Sequence, residues 1–437
     1  MEWWLVLILI FGGVLGLLTL GMPVAFAFMA VTIVGIIGFQ GWGGPLQQYV
    51  LSIYSSVSVF TLLPVPLFIL MSEVLWNSSI AVNALEALDR FFGRVPGRLS
   101  LLTVASGTMF SALSGSTMAT TAMLGRLLLP NMRKRGYAPD LSMGTIMASG
   151  GLDMLIPPSA LAVVFASVAQ VSIGKLLLAL IPPGLLLAAL YAGYIIVRAK
   201  LDPNAAPEAT FERAPLRDKI VGMMLHLMPL LIVIFFVIGT IFFGIATPTE
   251  AAALGCLASI ILAATLGGMD WRGFMRAIDG TMRVSVMMLT ILAAAIGFSQ
   301  ILAFTGASRG LLQYVVGEVT SPILMLILMN LLLLVLGCFM EQIAIMMITL
   351  PIFMPIVKAL GIDPIWFAVL MLMNLQIALM TPPFGLLLFV MKGVAPPDVQ
   401  MHTIYRAAVP FIVMDIIVIG VVIVWPDIAL FLPRLAF

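Results

Sequence analysis

Two proline pairs set the strongest constraint on how this chain can fold. Pro157 and Pro158 lie within "MLIPPSALA" (154–162), and Pro382 and Pro383 within "LMTPPFGL" (379–386). Each pair sits in an almost uncharged apolar stretch that otherwise reads as a buried helix. A proline removes a backbone donor and clashes with the carbonyl one turn back, at about 3 kcal/mol in a helix interior. Two in succession end the helix. The pairs are 225 positions apart, and at the same shift Pro130 falls on Pro355, Gly136 on Gly361 and Pro139 on Pro364 without a gap. The chain is therefore an internal repeat with one break in each half.

The solvent around these breaks follows from charge. Only 9% of the 437 residues are charged and 62% are hydrophobic, against about 25% charged in soluble domains. Such a chain cannot cover a water-facing surface, and its apolar runs reach the ~20 residues of a transmembrane helix. The ~10-residue alternating segments of a β-barrel are absent. An all-α polytopic membrane protein is expected. The net charge of +2 gives no sign of a nucleic-acid partner. Cys256 and Cys338 lie in apolar runs and read as inert packing residues. The N-terminal "MEWWLVLILI" lacks the basic leader of a signal peptide, and its tryptophans suit an interfacial belt.

Apolar spans are expected at about 4–20, 22–39, 50–76, 141–172, 175–197, 220–243, 249–268, 284–305, 364–391 and 404–425. An amphipathic basic segment covers 86–99, and the longest polar stretch is 198–219. Pro64 and Pro66 should kink the third span, and Glu250 in "TPTEAAALG" should cap the eighth. Residues 99–132 are unusual. As one straight helix they would be about 51 Å long, well beyond the ~30 Å hydrocarbon core. Their middle, "SALSGSTMATT" (111–121), is small and polar. Both flanks are basic, with Arg90, Arg94 and Arg98 before and Arg133, Lys134 and Arg135 after. Positive charge marks the cytoplasmic side, so both ends lie there. A re-entrant hairpin with its tip at Ser114–Ser116 is expected; the alternative is two short spans joined by an outside turn.

The repeat partner is 322–357, where "LGCFME" (336–341) lies over "SALSGS" (111–116). Its flanks have largely lost the basic cluster, so this second hairpin should enter from outside. The repeats are then inverted. In that topology 16 of the 21 Lys and Arg face the cytoplasm; Lys175, Arg309, Lys358 and Arg434 lie outside, and Arg126 sits in a hairpin arm. Inverted repeats with broken helices near the midplane are the plan of a secondary transporter. A break frees carbonyls that suit a cation and amides that suit an anion. Irregular backbone at that depth is tolerated only where it is buried in protein or lines a cavity.

The residues "SALSGSTMATTAMLGRLLLPNMRKRGYAPDLSMGTIMASGGLDMLIPPS" (111–159), "VSIGKLLLALIPPGLLLA" (171–188), "TPTEAAALG" (247–255) and "GCFMEQIAIMMITLPIFMPIVKALGIDPIWFAVLMLMNLQIALMTPPFGLLLF" (337–389) carry a resemblance that covers essentially the whole chain. It resembles the large membrane subunit, DctM-like, of tripartite ATP-independent periplasmic (TRAP) transporters. The resemblance implies an elevator-type fold in the bacterial inner membrane and sodium-coupled uptake of an organic acid. It implies a small four-helix membrane subunit and a periplasmic substrate-binding protein as partners, with sodium as the coupling ion and no other cofactor. Because the sequence starts directly at the first span, the small subunit is expected to be a separate chain. The implied division is scaffold spans and arm at 1–98, transport hairpin and broken helix at 99–197, and a cytoplasmic linker at 198–219. Scaffold spans and arm recur at 220–321, and the second transport unit with the last span at 322–437.

Carried over from the family, a first sodium site would use Ser111, Ser114, Asp153, Ile156 and Ser159. A second would use Gly337, Ala378, Thr381 and Phe384. Most would contribute carbonyls. Asp153 and Ala378 stand where the family pattern usually has a small residue such as glycine, and Asp153 adds a negative charge. Four readings of that carboxylate stay open: binding sodium, carrying a proton, repelling a dianion, or only bonding a freed amide; intramembrane acids are functional candidates by default. Glu341 reads as a helix cap or a gating group. Ser114, Gly115, Ser116, Thr117, Pro158, Asn374, Gln376 and Pro383 complete the candidate substrate lining, although intramembrane Ser and Thr often bond back to their own helix. His226 and His402 are isolated, and the 31 methionines read as adaptable packing. No HExxH, no GxSxG with a usable His and no cofactor fingerprint is present, so an enzyme is not expected. A stand-alone sodium/dicarboxylate carrier and an ion channel are the rival readings.

Overall fold

A computed structural model describes residues 2–91, 95–114, 116–207, 216–318 and 321–436. Helix is the regular structure of those residues, with no strand among them. This is what a chain without water must do, because a helix satisfies its own backbone. The scaffold-side helices of the first half are Trp3–Thr19, Val24–Gln40, Gly44–Val57 and Pro64–Trp76. The third expected span is two helices that meet at 51°. Pro64 begins the second of them, at a position where its missing N–H costs nothing. An amphipathic arm, Ile80–Phe91, follows.

The first hairpin is Arg98–Ser114 and Thr117–Lys134. The first broken helix runs through Asp140–Gly144, Thr145–Gly151 and Leu152–Met154, stops at the proline pair, and resumes as Ala160–Ala169. Ile173–Leu201 closes the half. In the second half the hairpin is Pro322–Gly337 and Gln342–Ala359, and the broken helix is Pro364–Met380 and Leu386–Val394. Met401–Val424 matches Ile173–Leu201. The second hairpin arms, Thr117–Lys134 and Gln342–Ala359, begin and end 225 positions apart. Both Pro157–Pro158 and Pro382–Pro383 are cis.

Two expectations change. The basic stretch before the expected 284–305 span is not a separate segment: Trp271–Phe304 is one continuous helix of 34 residues. Its first turns hold no proline and only one glycine pair of positions, Gly273 and Gly280, so nothing interrupts it. A further short helix, Asp427–Ala436, follows the last span and packs on Ile173–Leu201. The Glu250 cap is present as a capping box with Thr247.

Packing falls into two groups. Val24–Gln40, Pro64–Trp76, Pro248–Thr265 and Trp271–Phe304 pack on one another. The hairpins, the broken helices and the two spans that follow them form the other group. Within it, small residues replace side-chain packing with backbone contact, as is common between membrane helices. A Cβ on Gly150 would lie 2.0 Å from Thr121 Oγ1, and one on Gly144 would lie 2.2 Å from the Ala407 carbonyl oxygen and 2.8 Å from the Phe411 ring. Gly144→Ala is therefore expected to destabilise the detergent-solubilised protein by about 1–3 kcal/mol, as overpacking does. Gly193→Ala, whose Cβ would meet nothing within 4 Å, should leave the melting temperature unchanged or slightly raised. A thermal-shift comparison of the two checks the contact.

Candidate functional site

The hairpin tips and the helix breaks are brought together, and N-caps build the junctions. The second arm of each hairpin needs an acceptor for its first amides. Ser116 supplies it in the first half, accepting from the Ala119 N–H at 3.4 Å. The equivalent position in the second half is Glu341, whose carboxylate accepts from Ile343 N–H at 3.1 Å and Ala344 N–H at 3.4 Å. Glu341 is thus a helix cap. Ser159 caps the resumed half of the first broken helix, accepting from Ala162 N–H at 3.4 Å.

Around the first break, Asp153 is buried and Thr117 Oγ1 donates to its Oδ2 at 3.4 Å. This joins the start of the second hairpin arm to the turn before the prolines. The Leu152 carbonyl accepts from both Leu155 and Ile156 amides, so the helix tightens before it stops. Ile156 is half-buried and Pro158 buried. Ser111 is buried, and its hydroxyl has no hydrogen-bond partner among the described residues. The same holds for Ser106, Thr121 and Ser149. A Cβ on Gly107 would press within 2.5 Å of the Ser149 Cβ, so Ser149 lies at the contact between the first hairpin arm and the broken helix. Buried hydroxyls normally find a partner, and a run of them without one is a place for ions or water. The Ser114 side chain and Gly115 lie outside the described residues.

Around the second break, Gly337 and Ala378 touch so closely that a Cβ on Gly337 would lie 2.0 Å from the Ala378 Cβ. The Phe339 and Phe384 rings sit 5.9 Å apart. The tip and the break therefore meet at three of the four residues expected there. Thr381 Oγ1 donates to the Ile377 carbonyl of its own helix at 2.8 Å. The Pro383 carbonyl accepts from Tyr405 OH at 3.1 Å. The two halves also touch: Gln342 reaches Met154 Sδ at 3.7 Å, and a Cβ on Gly151 would lie 3.0 Å from Gln376 Cγ.

Asn374 and Gln376 serve helix contacts. Asn374 Nδ2 donates to the Asn330 carbonyl at 2.8 Å, and Gln376 Nε2 donates to Tyr191 OH at 3.2 Å. Tyr191 in turn donates to the buried Asp415 carboxylate. Asp415 was not among the candidates read from the sequence. A carboxylate inside "PFIVMDIIVIG" (410–420) is the signal that would have found it. Tyr191→Phe removes the donor and leaves a buried acid oxygen unbonded, at about 1–3 kcal/mol. A lower melting temperature is expected, and an unchanged one would show that the bond contributes nothing.

Paired hairpins and broken helices, repeated and interlocked inside an all-helical membrane bundle, define a membrane transporter rather than an enzyme. The family model described as "Tripartite ATP-independent periplasmic transporter, DctM component" matches residues 11–428. The sialic acid TRAP transporter large permease protein SiaM of Vibrio cholerae is 32% identical over 428 residues, covering 97% of each chain. The C4-dicarboxylate large permease protein DctM of Pseudomonas aeruginosa is 32% identical over 89% of this chain and 90% of its own. The ectoine large permease protein TeaC of Halomonas elongata is 29% identical over 97% and 98%. Among solved structures, the Alcanivorax borkumensis YdaH transporter overlays with a TM-score of 0.64 at 14% identity, covering 92% of this chain and 96% of its own; that likeness concerns the fold alone. The chain belongs to the DctM family, the large permease subunits of TRAP transporters, and is a multi-pass protein of the bacterial inner membrane.

Proposed function

We propose that this subunit carries out sodium-coupled, binding-protein-dependent uptake of a small organic acid anion by an elevator movement. The observation that carries the reading is the meeting of each hairpin tip with a helix break, at Thr117–Asp153 and at Gly337–Ala378. Two re-entrant hairpins, entering from opposite faces, supply the tips. Sodium occupies one site at Ser111, Ser114, Asp153, Ile156 and Ser159, and a second at Gly337, Ala378, Thr381 and Phe384. Ion binding fixes both tips, and the anion lies between them, near Ser116, Thr117 and the cap carboxylate of Glu341. Amide ends of the interrupted helices offset part of its charge.

The mobile body is the hairpins, the broken helices and the spans after them, 99–197 and 322–437. It slides against a frame formed by 1–98 and 220–321 together with a small four-helix subunit, with 198–219 as the cytoplasmic link. A periplasmic binding protein delivers the acid. The relatives' names speak of sialic acid, C4-dicarboxylates and ectoine, so the class here is a small polar organic solute, most simply a carboxylate. Asp153 then belongs to the first ion site. Asp153→Asn is expected to raise the sodium concentration for half-maximal uptake at least tenfold in proteoliposomes, which is about 1.4 kcal/mol, without reducing membrane insertion. An unchanged sodium dependence removes Asp153 from the site. Uptake that persists without the binding protein would instead identify a stand-alone carrier, and flux that neither saturates nor needs sodium a channel.

A further inference from the structure

A cavity of about 1450 Å³ lies between the two packing groups. One wall is Ser52–Leu62 with Ile241–Thr249 and Leu292–Gln300; the other is Ala169–Gly174 with Met347–Lys358. It lies at the end of the molecule away from the basic clusters. Ile173, in the wall, starts a 29-residue helix whose far end holds Arg198 and Lys200. Leu292–Gln300 likewise lie near the end of a helix that begins with Arg272 and Arg276. By the charge rule this is the periplasmic side.

The volume exceeds the 300–1,000 Å³ of ordinary ligand pockets, so the space is a vestibule rather than a fitted site. Its polar lining is neutral hydroxyls and amides, including Gln170, Ser172, Thr247, Ser299 and Gln300. No Asp or Glu among the described residues lines it, and Lys358 is the single cation that does. Glu250, next to the lining, is engaged with the N–H and hydroxyl of Thr247.

The internal repeat shows that this vacancy is not a general feature of the position. Lys358 is the repeat equivalent of Arg133. At the opposite end, Arg133 forms a two-pronged ion pair with Asp398, in the loop after the second broken helix. Hydrogen bonding to Arg133 holds the Asp398 carboxyl below its ordinary range. The corresponding loop after the first broken helix is Gln170–Ser172. It shares the cavity with Lys358 and carries no acid. The base is kept and its carboxylate is missing.

We propose that Lys358 and the hydroxyl-lined wall beside it form a capture site for the carboxylate of the incoming organic anion, ahead of the hairpin tips. This rests on the uptake direction proposed above. An unpaired cation in a wide, neutral, wet cleft raises the local anion concentration without binding so tightly that release is slow.

The test reads the local field with charged thiol reagents. In a background with Cys256→Ala and Cys338→Ser, Ser172→Cys and Ser299→Cys are reacted separately with sulfonatoethyl methanethiosulfonate and its trimethylammonium counterpart. Lys358→Gln should lower the anionic-to-cationic rate ratio about three- to tenfold, the size expected for unit charges several Å apart in water. Lys358→Arg should keep it. Excess succinate, against chloride at equal ionic strength, should slow the anionic reagent with Lys358 in place and not in Lys358→Gln. An unchanged ratio, or no effect of succinate, overturns the capture site. Protection by a ligand-free binding protein but not by succinate marks a docking contact and also overturns it. The readout needs no turnover, so a failure of sodium-coupled uptake would be seen separately.

Discussion

Everything in this molecule depends on the rule that backbone polar groups in hydrocarbon must find partners within the protein. The helices obey it along their lengths. The two proline breaks and the two hairpin tips strain it, and the fold answers by placing them against each other. Side-chain caps at Ser116, Glu341 and Ser159 take up amides. The tightened turn at Leu152 takes up two more. What is left over includes the buried hydroxyls of Ser106, Ser111, Thr121 and Ser149.

Close approach is the second condition. A break can meet a tip only if the chains around it are thin. The Gly337–Ala378 and Gly150–Thr121 contacts show how little room is left. Alanine fits at 378 because Gly337 opposite lacks a Cβ. At the other break, Thr117 is the residue that meets Asp153. The direct contact is thus polar at the first junction, Thr117 with Asp153, and apolar at the second, Gly337 with Ala378, with the Phe339–Phe384 rings beside it. The two halves are alike in path but not in chemistry.

Much of this was legible in the sequence. The gapless 225-residue shift gave the hairpin arms and both breaks almost to the residue, because proline and glycine act locally and their positions survive divergence. The capping roles of Glu341 and Glu250 were readable for the same reason. The tertiary partners were not. Asn374 pairs with Asn330 and Gln376 with Tyr191, and polarity at a helix position says nothing about which neighbour it meets. Pro64 and Pro66 signal the bend between Gly44–Val57 and the next helix, and the chain turns just ahead of them. The start of the helix Trp271–Phe304 is hidden in the sequence by its arginines, since charge alone does not end a helix.

That long helix has a mechanical meaning. At 1.5 Å per residue, its 34 residues form a rod of about 51 Å, against ~30 Å of hydrocarbon. The surplus carries Arg272, Arg276 and the Arg283–Asp279 pair, so it extends as a stiff post among the headgroups and beyond. In the first half the corresponding path, 225 positions earlier, is the bent pair Gly44–Val57 and Pro64–Trp76. The scaffold-side helices are therefore jointed in one half of the chain and braced by a single rod in the other.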